Sequence, residues 1–177
     1  IKRLFLSKKF EKKLKEYFSQ DDKKSQLTFS HFQFLIILPN TKRNNLGWHQ
    51  DSAYFTESKN QNSTYVCWTP FSMVGSKVNG GLEILQNSNL LGPLKHNINS
   101  NNLRKKASLT KRGKLYLDVK TIKNKILNLS IKSGESLFFE SNMVHRSGLQ
   151  NPKINKIRYT IVVRYSNSNS VLEYIRN

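Results

Sequence analysis

Short β-forming runs, each ended by a Gly, Asn or Pro turn, succeed one another from His31 to Tyr165, and this succession constrains the fold more than any other feature of the chain. His31 to Leu38 is stopped by Pro39-Asn40, Thr64 to Pro70 is rich in β-branched and aromatic residues, and Leu82 to Leu85 follows Asn79-Gly-Gly81. Ile126 to Ile131 alternates apolar and polar side chains, and Ser133-Gly-Glu135 turns it into Ser136 to Phe139. Arg158 to Tyr165 is the last such run. Each strand has an apolar face to bury and edges to pair, so the expected fold class is an all-β sandwich or barrel.

Ahead of the strands, Leu6, Phe10, Leu14 and Phe18 recur every four residues with lysines between them, ending near Ser19-Gln-Asp-Asp22. This predicts an amphipathic helix within residues 1–24 that flanks the sheets. Residues 31–165 are the expected core of a single domain spanning 1–177, with no internal repeat. Asn87 to Lys125 is polar and basic with little periodicity, and is expected to be a lid or insert. The chain opens on Ile1 already in helical pattern, so an N-terminal portion is expected to be missing.

Composition narrows the class further. An aromatic content of 11% argues against disorder, and the longest apolar run, Phe34 to Leu38, is far too short to span a membrane. One cysteine, Cys67, excludes an internal disulfide, and no secretory leader is visible, so the cytoplasm is the expected compartment. The net charge of +19 gathers in Lys2 to Lys24 and Arg104 to Lys125. It is carried mostly by Lys, whereas nucleic-acid readers lean on Arg forks, so compositional drift is favoured over a functional anionic partner.

Of the four histidines, two stand where a metal could use them. Gly47-Trp-His-Gln-Asp51 puts an imidazole and a carboxylate two residues apart, on one side of an extended backbone. Val144-His145-Arg-Ser147 supplies a third ligand from a distant strand. Two histidines and one carboxylate on one face of an octahedron, leaving three positions open, mark non-haem iron(II) oxygenases. An H-x-D with a later His is weak alone. Arg158, opening the last strand, adds a guanidinium fork that suits the far carboxylate of 2-oxoglutarate, the alternative being a surface strand residue. Arg164 and Arg146 are the alternative anchors.

Four stretches in order then resemble the phytanoyl-CoA dioxygenase family. They are Trp48-His-Gln-Asp51 with Ser52-Ala-Tyr54, Val66-Cys-Trp-Thr-Pro70, Asn79-Gly-Gly-Leu-Glu83, and Gly134-Glu-Ser-Leu-Phe-Phe139 leading to His145-Arg-Ser147 and Arg158. The resemblance implies a double-stranded β-helix, the cupin-like jelly roll. It assigns iron(II) to His49, Asp51 and His145, and the far carboxylate of 2-oxoglutarate to Arg158 and Ser147. It puts Gln50, Trp68 and Gln33 in the co-substrate pocket, although Trp68 can also be core and Gln50 can face solvent. The implied reaction is O2-dependent hydroxylation of a small-molecule C–H bond, with release of succinate and CO2. The carboxylate at Asp51 separates the chain from related halogenases, which have a small residue there. Gln86-Asn-Ser-Asn89 replaces the Pro-Gly-Ser-His of many relatives, which affects a local turn rather than the metal ligands.

Two other readings compete. A non-oxidative cupin-like metal or ligand-binding protein would carry H-x-H with Glu and a further His, where this chain has H-x-D. A 2-oxoglutarate oxygenase acting on nucleic acid or protein would draw on the +19 charge, but Tyr116 is the only aromatic in the basic segment available for base stacking. The favoured partner is a small molecule, an anionic one being the kind the charge would suit.

Overall fold

The computed structural model describes residues 8–17, 27–39, 46–54, 64–75, 78–99, 114–151 and 153–167. One helix, α1 (Lys8–Tyr17), precedes the strands β1 (Leu27–Ile37), β2 (Thr64–Pro70), β3 (Asn79–Leu85), β4 (Asn97–Asn99), β5 (Lys114–Tyr116), β6 (Ile126–Asn128), β7 (Leu137–Glu140), β8 (His145–Gln150) and β9 (Arg158–Asn167). The helix lies within the stretch that the four-residue repeat marks. Leu6 and Phe18 fall outside the described residues, as do the side chains of Phe10 and Leu14. No described helix is long and apolar enough to cross a membrane.

The strands form an antiparallel sheet ordered β1-β9-β2-β7, a second ordered β6-β3-β8, and the small pair β4-β5. Val66, Trp68, Phe139 and Val162 of the first sheet pack against Leu82 of the second, together with Val74 and Ile131, so the apolar core lies between the two sheets. This is the double-stranded β-helix of the jelly-roll class. The opposite face of β2 and β9 is buried too, through Tyr65, Cys67, Ile161, Val163 and Tyr165. Burial on both faces accounts for the unbroken apolar runs Tyr65 to Trp68 and Ile161 to Val163 in those two strands. It also buries Cys67 and pushes its thiol up to about 11, which leaves it protonated. On the edge strand β1 the alternation is clear: Ile37 is inside, while Phe32, Phe34 and Ile36 stay exposed on the other face.

Three elements differ from the sequence expectation. β3 begins at Asn79, so the Asn-Gly-Gly sequence is strand rather than turn. β8 has no apolar alternation in His145-Arg-Ser-Gly-Leu-Gln150 and is held by its ladder with β3. Within the expected lid, 88–91 forms a 3-10 turn and β4 pairs with β5. Leu117 packs with Trp48, Leu85 and Val144, with Leu94, Val119 and Ile122 against them, so both ends of the segment belong to the packed body. Residues 100–113 lie outside the described residues.

Candidate metal centre

His49 and His145 sit directly opposite each other in a β-bridge, and their backbones exchange hydrogen bonds of 2.9 and 3.0 Å. That pairing places the imidazoles side by side, with ring centroids 4.3 Å apart. Asp51, opening the 3-10 turn Asp51–Tyr54, brings Oδ1 to 3.5 Å from Nε2 of His49 and 3.6 Å from Nε2 of His145. One ligand atom from each residue lies within 4.8 Å of the others, and all three side chains are buried. In each histidine Nδ1 is spoken for, donating to Gly47 O at 2.7 Å or to Met143 O at 2.9 Å. This fixes the tautomer that turns an Nε2 lone pair toward Oδ1, the outer support that metal-binding imidazoles normally have.

The charge state suits a cation. Burial alone would raise the Asp51 carboxyl, but the Arg164 guanidinium leads the opposing influences, which together hold Asp51 well below the usual carboxylate range. Burial, then His49, lowers His145 to about 4. Asp51 is thus ionised and His145 neutral near pH 7, as metal ligation needs. Arg164 sets its Nε and Nη2 on Asp51 Oδ2 at 2.8 and 2.7 Å.

Gln50, between two of these residues, is fully buried rather than solvent-facing. Its Nε2 donates to Gly92 O at 2.8 Å and Asn142 O at 2.7 Å, and its Oε1 accepts from Leu94 N at 2.8 Å. Its backbone N–H donates to His96 Nε2 at 2.9 Å, so residues 92–96 are buttoned onto the metal loop. On the far side of the two histidines, Trp48 lies under Arg146, 4.6 Å from guanidinium carbon to ring centroid, and Arg146 pairs with Glu83 on β3. Arg146 therefore belongs to the back of the bridge, facing away from the cradle.

Arg158 is 2% exposed, so it is no surface residue. Its Nη1 donates to Asn79 O at 3.3 Å and Gly81 O at 3.4 Å, its Nε has no partner, and no carboxylate among the described residues pairs with it. Gly80 makes the approach possible: it holds φ +67°, and a Cβ there would stand 2.8 Å from Arg158 Nη1 and 2.7 Å from Gly148 O. The Asn-Gly-Gly sequence thus reads as a seat for the guanidinium. Thr160, two residues on and on the same strand face, also has a buried hydroxyl without a partner. Ser147 is half-buried on β8, its Oγ accepting from Leu46 N at 3.3 Å. Trp68 packs in the core between the sheets, and Gln33 Oε1 accepts from Arg164 Nη1 at 3.4 Å. The sequence reading missed Thr160, His96 and the Asp51 contact of Arg164. The available signal was the period of two along β9, which puts 158, 160, 162 and 164 on one face.

A jelly roll with a buried His-x-Asp and a distant His defines a class of mononuclear metal proteins. The phytanoyl-CoA dioxygenase family matches residues 2–153, and the chain belongs to that family. Among solved structures the fold is similar to EvdO2 from Micromonospora carbonacea var. aurantiaca complexed with 2-oxoglutarate (TM-score 0.65, 16% identity, covering 99% of this chain and 65% of that one). It is also similar to SnoN, a non-heme alpha ketoglutarate dependent epimerase from nogalamycin biosynthesis (TM-score 0.63, 15% identity, 93% of this chain and 55% of that one). A further SnoN structure, in complex with Fe3+, alpha ketoglutarate and nogalamycin RO, matches at TM-score 0.59 and 15% identity over 85% of this chain and 53% of that one. The chain spans between about half and two thirds of these proteins. No curated protein matches it.

Proposed function

We propose that the chain is the catalytic body of an iron(II)- and 2-oxoglutarate-dependent oxygenase that acts on a small molecule. The observation that carries this is a pair of features in one protein: a buried His-Asp-His cradle, and a buried cation, Arg158, without a counter-charge among the described residues. Burying an unpaired guanidinium is costly, so the position is explained by an anion that arrives with function. Burial lowers Arg158 only to about 10, so it remains charged near neutral pH.

The residues fit both groups. His49, Asp51 and His145 would hold iron(II), which when bound supplies the activation of O2, with 2-oxoglutarate consumed to succinate and CO2. Arg158 would grip the far carboxylate, with Ser147 and the free Thr160 hydroxyl beside it, and Trp68 would wall the pocket. Gln50 acts here by holding 92–96 against the ligand loop, and Gln33 by supporting Arg164. The small-molecule class draws support from SnoN, whose complex holds nogalamycin RO. An anionic substrate would suit the +19 charge.

The test is 2-oxoglutarate turnover to succinate under O2, with iron(II) and a panel of small molecules. Arg158→Ala should weaken 2-oxoglutarate binding by roughly a hundredfold while leaving iron bound, since a buried charged contact is worth about 2–5 kcal/mol. Unchanged affinity in this variant would remove Arg158 from the site.

A further inference from the structure

We propose that Arg164 is a positioning residue that makes Asp51 a one-oxygen metal ligand. The inference rests on the metal reading above and deepens it. Both donors of the guanidinium edge, Nε and Nη2, converge on Oδ2 of Asp51 at 2.8 and 2.7 Å. The other oxygen, Oδ1, is the one that faces the two Nε2 atoms, at 3.5 and 3.6 Å. The carboxylate is thereby divided: one oxygen is occupied by protein and the other is presented to the cradle.

Arg164 is itself held from behind. It is buried on β9, opposite His31 of β1 and Val66 of β2. Its Nη1 lies 3.2 Å from His31 Nδ1 and 3.4 Å from Gln33 Oε1. Burial, then Arg164, lowers His31 to about 4, so His31 is neutral near pH 7 and can offer Nδ1 as an acceptor. The guanidinium cannot swing off Oδ2 without giving up its contacts on β1 as well.

The consequence is coordination number. A carboxylate with both oxygens free can chelate a cation and take two of its positions, as bidentate Asp and Glu often do. With two imidazoles, a chelating Asp51 would leave two octahedral positions open, whereas a single-oxygen Asp51 leaves three. Three is the number needed for a two-atom co-substrate chelate and O2 together. Arg164 also weakens Asp51 as a donor by sharing its charge, so the residue favours open positions over tight metal binding.

Cobalt(II) serves as the probe, because its absorption and X-ray absorption spectra report coordination number. Wild type, Arg164→Gln and Arg164→Lys are loaded with cobalt(II) and titrated with 2-oxoglutarate. In Arg164→Gln, cobalt affinity should be kept or increased, the metal should gain one oxygen neighbour, and 2-oxoglutarate affinity should fall roughly ten- to a hundredfold. Arg164→Lys keeps the charge but offers a point donor instead of a fork, so it should fall between the two. A merely structural arginine would give loss of cobalt with loss of fold. A folded variant that no longer binds cobalt, or one with the wild-type spectrum and wild-type 2-oxoglutarate affinity, overturns the proposal. If Arg164→Gln does not fold, the same readouts on Arg164→Lys decide. Wild-type protein that binds no cobalt at all would instead sink the metal reading on which the proposal stands.

Discussion

Replacing Thr160 by valine, which has nearly the same shape, should leave the metal-free protein as stable as before or slightly more so, because Oγ1 has no partner to lose. The same change should weaken 2-oxoglutarate binding by about tenfold, the worth of a modest hydrogen bond to a charged group. Calorimetric unfolding and a binding titration separate the two effects, and a destabilised variant with unchanged affinity would return Thr160 to the scaffold. The buried histidines give a second residue-scale expectation. Burial sets His145 and His31 at about 4 against 6.5 in the unfolded chain. Between those values the unfolded chain takes up protons that the folded one does not. Stability of the metal-free protein should therefore fall as pH drops from 6.5 toward 4, with these two groups adding no slope above 6.5. Denaturation midpoints across that range check this, and a midpoint that rose on acidification would contradict it. His49, Asp51 and His145 were legible in the sequence because extended backbone puts positions two apart on one side. Arg164 and Thr160 were not, because an inward strand position acquires meaning only once its sheet partners are known.

At the scale of elements, the 92–96 stretch and the ligand loop behave as one unit because Gln50 ties them. Gln50→Leu would leave Gly92 O, Asn142 O and the Leu94 N–H without partners, at a cost of about 2–4 kcal/mol for the group. Faster amide exchange at Leu94 and a lower unfolding midpoint are expected; exchange as slow as wild type would contradict the tie. Part of the segment expected to be a lid is thus fastened to the site. Its composition concealed this, since Leu94, Leu117, Val119 and Ile122 are spread among lysines and their cluster forms only when distant pieces meet Trp48 and Val144. β8 was hidden for a related reason. Its side chains are chosen for the cradle and for the Arg146 stack on Trp48, so the apolar alternation that reveals other strands is missing. Asn79-Gly-Gly81 carried a true signal that sequence could not resolve: glycine marks turns, and it also marks places where another group must come close.

For the molecule as a whole, the fold class was legible because turn-punctuated strands leave few ways to bury their faces, whereas the strand order β1-β9-β2-β7 depends on long-range pairing that no local pattern encodes. The two sheets matter to the proposed function because they deliver its parts separately. β8 brings His145 and Ser147, β9 brings Arg158, Thr160 and Arg164, and the loop after β1 brings His49 and Asp51. Ligands that join these parts should stabilise all of them together. At 2-oxoglutarate concentrations a hundredfold above its dissociation constant, the gain is about 2.7 kcal/mol, a rise of roughly 5–10 °C in the unfolding midpoint. The most direct measurement is an anaerobic titration of the protein with iron(II) and 2-oxoglutarate, each alone and then together. One iron should bind per chain, 2-oxoglutarate should bind tightly only when iron is present, and His145→Ala should abolish both. If 2-oxoglutarate binds equally well without metal, or if His145→Ala keeps its iron, the cradle is not the site proposed here.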